Sequence, residues 1–103
     1  MKVYIKNEKR KVDAVGEFNE MTRELVVLKG TTVSKEIAYS EKFRGSKSIE
    51  KHREGKIKNS VLIEDVRFKS PSTAGNFVTG KSTNGLTAWK TKEGKTIKEI
   101  LGE

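Results

Sequence analysis

Phe68-Lys69-Ser70-Pro71-Ser72-Thr73-Ala74-Gly75-Asn76-Phe77-Val78-Thr79-Gly80-Lys81-Ser82-Thr83-Asn84-Gly85 decides how the chain is read, because it packs a helix start, a helix stop and a turn into one short stretch. Ser70 is the type of residue whose hydroxyl accepts from a free backbone N–H at a helix N-cap. Pro71 falls at the first helical position, where its missing donor costs nothing. Ala74, Phe77 and Val78 stand at i, i+3 and i+4, so the helix presents one apolar stripe to a sheet. Gly80 stops it. Asn84-Gly85 is a hairpin-turn dipeptide, and Leu86-Thr87-Ala88-Trp89-Lys90 then predicts a strand.

The same stretch contains Gly75-Asn76-Phe77-Val78-Thr79-Gly80-Lys81-Ser82, a letter-for-letter match to the phosphate-loop pattern G-x-x-x-x-G-K-[ST]. A phosphate loop follows a buried strand and opens a helix, so that backbone N–H groups face the phosphates. Here the order is reversed: a helix begun at Ser70-Pro71 precedes the Gly-Lys-Ser, and a turn follows it. The chain after Ser82 is too short for the remaining layers of a nucleotide-binding fold or a later magnesium-holding carboxylate. The match therefore reads as a helix C-terminus with a lysine beside it, and no nucleotide is expected.

Working outward, Val3-Tyr4-Ile5 predicts a short first strand. Val12 to Phe18 alternates, with Val12, Ala14, Gly16 and Phe18 on one face. Asn19 to Arg23 reads as a turn, Leu25-Val26-Val27-Leu28 as a central strand interrupted by Gly30, and Thr31-Thr32-Val33 as its resumption. An extended piece is open around Ile37-Ala38-Tyr39. Ser46 or Ser48 caps a polar helix through Glu54 with Gly55 as its stop. Val61-Leu62-Ile63 and Val66-Arg67-Phe68 are short extended pieces, and Thr96 caps a last helix containing Ile97, Ile100 and Leu101. Residues 1–103 thus form one α+β domain: an N-terminal antiparallel meander, two or three short helices, and a C-terminal strand or hairpin.

Apolar residues make up 33% of the chain and charged residues 35%, so the core is small and the surface heavily solvated. There is no cysteine, hence no disulfide and no thiolate metal site. No apolar run approaches the length of a membrane span, and Met-Lys-Val-Tyr-Ile-Lys is no signal peptide; the expected compartment is the cytoplasm. Catalytic constellations are thin. His52 is the single histidine, and Asp13, Glu17, Glu64 and Asp65 have no spacing that brings them together, so neither enzyme, metal nor cofactor is expected.

The formal net charge is +8, which favours a polyanionic partner. Lys42 to Lys58 is the richest basic run, holding Arg44, Lys47, Lys51, Arg53, Lys56 and Lys58 against Glu50 and Glu54. These side chains are the first candidates for phosphate contact, joined by Ser70 and Ser72 at the helix start and by Lys81 and Lys90 near the second turn. Trp89 reads as core, with base stacking as the other use.

Phe68-x-Ser70-Pro71-Ser72-x-Ala74, Gly80-x-Ser82-x-Asn84-Gly85, Trp89-Lys90 and Gly94-Lys95-Thr96 resemble an uncharacterised bacterial domain. That domain is often found behind GIY-YIG-type nuclease modules or in restriction–modification proteins, and is similar to the RAMA domain of restriction enzymes and adenine methylases. Ala14 to Phe18 and Val27 to Thr31 resemble its opening hairpin. Leu86 stands where the pattern has an aromatic, and Gly75 where it has a second alanine. The resemblance implies a non-catalytic DNA-binding accessory domain, acting on duplex that can be modified, or alternatively a module that tethers a nuclease or methylase partner.

Overall fold

The computed structural model describes residues 1–37 and 46–103. Strand β1 (Lys2–Asn7) pairs antiparallel with β2 (Val12–Phe18), β2 with β3 (Leu25–Val27), and β3 with β6 (Val66–Phe68), giving the order β1-β2-β3-β6. The alternation in β2 is what the pleat demands: Val12, Ala14, Gly16 and Phe18 are buried, whereas Asp13 and Glu17 face solvent. Past Val27 the chain steps aside at Gly30, whose φ is +92°, and Thr32 bridges Asp13 on one flank and Val61 on the other. The buried Thr31 hydroxyl stitches this step: it accepts from the Val15 N–H at 3.1 Å and donates to the Val15 carbonyl at 3.3 Å.

A small hairpin, β4 (Ile57–Lys58) and β5 (Val61–Leu62), extends that flank. Its two-residue turn is Asn59-Ser60, with φ of 52° and 66°, the positive pair that matches strand twist in a type I′ turn. Helix α1 (Ser46–Arg53) buries only Ile49 fully, with His52 and Arg53 half-buried, and stops before Gly55 at φ +72°. Ala38, Tyr39 and Arg44 lie outside the described residues.

Helix α2 (Pro71–Thr79) follows its sequence signals. Ser70 Oγ accepts from the Thr73 N–H, Pro71 opens the helix, Ala74, Phe77 and Val78 are buried, and Gly80 caps it at φ +74°. A side chain on Gly80 would strike the Glu36 carbonyl at 2.2 Å, so glycine is required there for both conformation and space.

The next segment departs from expectation. Asn84-Gly85 makes no hairpin: Asn84 has φ −81°, and its side chain accepts from the Leu86 N–H to cap a one-turn helix, α3 (Gly85–Ala88). The strand expected at Leu86–Lys90 is replaced by this turn, and only Lys90 pairs, bridging Tyr4 and Thr96. The reason lies in packing. Residues 80–85 run back along α2, with the Asn76 side chain accepting from the Thr83 N–H, until Gly85 lands on the helix start. Its N–H donates to Ser72 Oγ at 3.0 Å, and a Cβ there would lie 2.1 Å from the Pro71 carbonyl carbon. Glycine is demanded by contact rather than by φ. Trp89, fully buried, then donates its indole N–H to the Pro71 carbonyl at 3.0 Å and lays its ring over Gly16 of β2. Helix α4 (Ile97–Leu101) closes the domain with a Thr96–Glu99 capping box and Gly102 as its stop. The α+β architecture, with an N-terminal meander and several short helices, is that expected from sequence.

Gly85→Ala is expected to destabilise the domain by about 2 kcal/mol or more, because backbone of the α2 start must move. Gly94→Ala, at φ +88° but in open space, is expected to cost about 1 kcal/mol. Urea midpoints at unchanged m-value give the comparison; equal costs would contradict the contact.

Candidate nucleic-acid interface

Both ends of α2 carry sequence-predicted residues, and they are used differently. At its start, Ser70 and Ser72 are occupied within the fold, the first as N-cap and the second as acceptor for Gly85. At its end, two arginines close on the carbonyls that the helix leaves without partners. Arg53 donates through Nε (3.0 Å) and Nη2 (2.6 Å) to the Phe77 carbonyl, and through Nη1 (2.8 Å) to the Ser34 carbonyl. Its guanidinium carbon also lies 5.8 Å from the centre of the Phe77 ring. Arg10, from the β1–β2 turn, donates through Nε (3.0 Å) and Nη2 (2.8 Å) to the Thr79 carbonyl. A planar fork suits such paired contacts, which a lysine cannot reproduce.

This clamp gathers three segments around the C-terminal end of α2: the β1–β2 turn, the ridge 34–37 and helix α1. On one side of the ridge lies a groove lined by Lys9, Arg10, Lys11, Ser34, Lys35 and Glu36. On the other side a second groove is lined by Ile37, Lys47, Glu50, Lys51, Arg53 and Glu54. Lys81 emerges just past the α2 cap, and Lys58 precedes the hairpin turn whose Ser60 carbonyl accepts from the Val33 N–H. No ion pair among the described residues engages Lys9, Lys11, Lys35, Lys47, Lys51, Lys58 or Lys81.

The opposite end of the sheet carries charges of both signs, several of them paired. Around the β2–β3 turn a third groove is lined in part by Glu17, Glu20 and Glu24 and, with positive charge, by Arg67 and the N-terminal Met1. Arg23 in that turn is paired with Glu103 at 2.7 Å, and the N-terminal amine lies 3.1 Å from Glu17. Strand β2, seven residues long, spans the interval between the two ends, roughly 20 Å at the usual rise per residue. Lysines outside any ion pair among the described residues are therefore concentrated at one end of the strands, whereas cations and carboxylates are intermixed at the other.

Of the residues singled out from sequence, Lys47, Lys51, Arg53, Lys58 and Lys81 belong to the basic end. Lys56 is paired with Glu64. Ser70 and Ser72 sit at the far end of α2, and Lys90 on the β1 edge beside Tyr4. His52 is half-buried, its Nδ1 2.8 Å from the Ser48 carbonyl and its ring against Phe68. Sequence reasoning passed over Lys9, Arg10, Lys11 and Lys35. The signal for the first three was the density of cations from Lys6 to Lys11, which only the fold connects to α1 and to Lys35. The Gly75–Ser82 letters coincide with a helix carbonyl end whose Gly80 N–H is already donated to Asn76, the reverse of a phosphate cradle.

Arg53→Lys is expected to lose about 1–2 kcal/mol of stability, since the Phe77 and Ser34 acceptors cannot both be met. Lys51→Ala should remain within about 0.5 kcal/mol of the parent. Urea denaturation of both variants checks the contrast.

No curated protein and no solved structure matches this chain. A family model, described as a domain of unknown function (DUF4357), matches residues 3–101. Because that match takes in every strand and helix from the β1–β2 hairpin to α4, the chain belongs to the DUF4357 family.

Proposed function

We propose that this domain is a non-catalytic DNA-binding module, accessory to a DNA-processing or restriction–modification system. The observation that carries this reading is the concentration, around the α2 carbonyl end, of lysines that no ion pair among the described residues engages, roughly 20 Å from the intermixed charges of the β2–β3 turn. Such a field orients a polyanion before contact and holds it by counterion release afterwards. The likeness to domains found behind GIY-YIG-type nucleases and to the RAMA domain supplies the biological setting, and supports duplex DNA, plain or modified, as the polyanion. Candidate contacts are Lys47, Lys51, Lys58 and Lys81. Arg53 supports them by fixing α1 to α2. The Ser70-Pro71-Ser72 motif and Trp89 act through the fold.

A tethering role for a nuclease or methylase partner has less support. Among the described residues the exposed large apolar side chains are Met1 and Met21, which line the groove at the β2–β3 turn, and Val61 and Ile63 on the β4–β5 flank, two small groups rather than one large patch.

Fluorescence anisotropy with a labelled duplex of about 20 base pairs, over a series of salt concentrations, tests the reading. Binding should weaken steeply with salt, and the Lys47→Ala/Lys51→Ala variant should bind more weakly with a log–log slope reduced by up to about 1.8. Absence of binding at about 50 mM salt, the low end of the usual range, would overturn it. Comparing plain with adenine-methylated duplex separates backbone binding from modification sensing.

A further inference from the structure

Resting on that reading, we propose that the β1–β2 turn is a second phosphate-binding element, with Lys9, Lys11 and Lys35 receiving the backbone of the nucleic acid across the ridge from α1.

The turn is built rather than merely charged. Arg10 N–H donates to the Asn7 side chain at 3.2 Å and Lys11 N–H to the Glu8 carbonyl, closing the loop. The Arg10 guanidinium then fastens the loop to the Thr79 carbonyl, so the two lysines beside it are held at a fixed place on the domain. Ordering a long cationic side chain on a rigid base lowers the entropy lost when it meets a phosphate. Lys11 also occupies a left-handed conformation, φ 56°. Asparagine or glycine would adopt it at less cost.

The surroundings suit an anion. Lys9, Lys11 and Lys35 share one groove with Glu36 as its carboxylate, and none of the three is taken up by an ion pair among the described residues. Ser34, on the ridge, is bonded through its carbonyl and its hydroxyl to Arg53, which ties this groove to the one lined by Lys47 and Lys51. One backbone crossing the ridge meets both. The amine of Met1 and the side-chain carboxylate of Glu103 lie at the opposite end of the sheet, against Glu17 and Arg23, so a fluorophore at either terminus leaves the basic end clear.

The test compares two variants of equal charge change on the same labelled duplex. Lys9→Gln/Lys11→Asn/Lys35→Gln removes three charges from the groove, with asparagine chosen to keep the left-handed turn. Lys92→Gln/Lys95→Gln/Lys98→Gln removes three exposed charges from the C-terminal region. The groove variant is expected to bind at least about tenfold more weakly at about 100 mM salt, with the slope lowered by up to about 2.7 units; the C-terminal variant should lose no more than about threefold. Unaltered thermal unfolding of the groove variant separates binding from folding. Equal losses in the two variants, or no loss in the groove variant while the parent binds, would overturn the second element and leave the proposed function standing. A parent that binds no duplex would overturn both.

Discussion

A single indole ring sets the relation between sheet and helices. Trp89 is fully buried between β2 and the start of α2, and its N–H must find an acceptor because an unsatisfied buried donor costs about 1–3 kcal/mol. The Pro71 carbonyl provides it, 3.0 Å away. The ring needs a flat seat on the sheet, and Gly16 supplies one: a Cβ there would come within 3.2 Å of the ring and 2.7 Å of Leu25. To reach this place from the C-cap of α2, the chain must double back along the helix and pack Gly85 on the Pro71 carbonyl. Ser72, Asn84, Gly85 and Trp89 are thus one constraint, met together.

That constraint determines which end of α2 gathers the cationic side chains. The start is filled by its own loop, whereas the carbonyl end is itself buried and draws over it arginine side chains from elements far apart in sequence, with lysines beside them at the surface. Arg10 and Arg53 satisfy those carbonyls directly, and in doing so they bring the β1–β2 turn and α1 onto either flank of the 34–37 ridge. The lysines next to the arginines then share one surface. Helix polarity, arginine geometry and surface charge form a single causal sequence from backbone dipoles to a polyanion-facing end.

Much of the fold was legible in the sequence, and for local reasons. The alternation of Val12 to Phe18, the Ser70-Pro71 start, the Gly80 stop and the Thr96 cap are signals that need no tertiary context. Asn84-Gly85 was misread because the same dipeptide serves a type I′ turn and a capped close approach, and only the neighbouring Pro71 backbone distinguishes them. The real type I′ turn, Asn59-Ser60, lacks glycine and was passed over. The site was half legible. A dense basic run can be counted, but whether Arg53 meets a carbonyl, Lys56 a carboxylate or Lys11 open solvent depends on contacts between residues tens of positions apart.

Amide chemical-shift mapping with isotopically labelled protein and a short DNA duplex addresses the central claim most directly, that the α2 carbonyl end is the face presented to the polyanion. The perturbed amides are expected to cluster at residues 9–11, 34–37, 46–54, 58 and 81, with those of 17–24 and 70–72 unmoved. Perturbations centred on the β2–β3 turn or on the α2 start, or spread evenly over the domain, would contradict it.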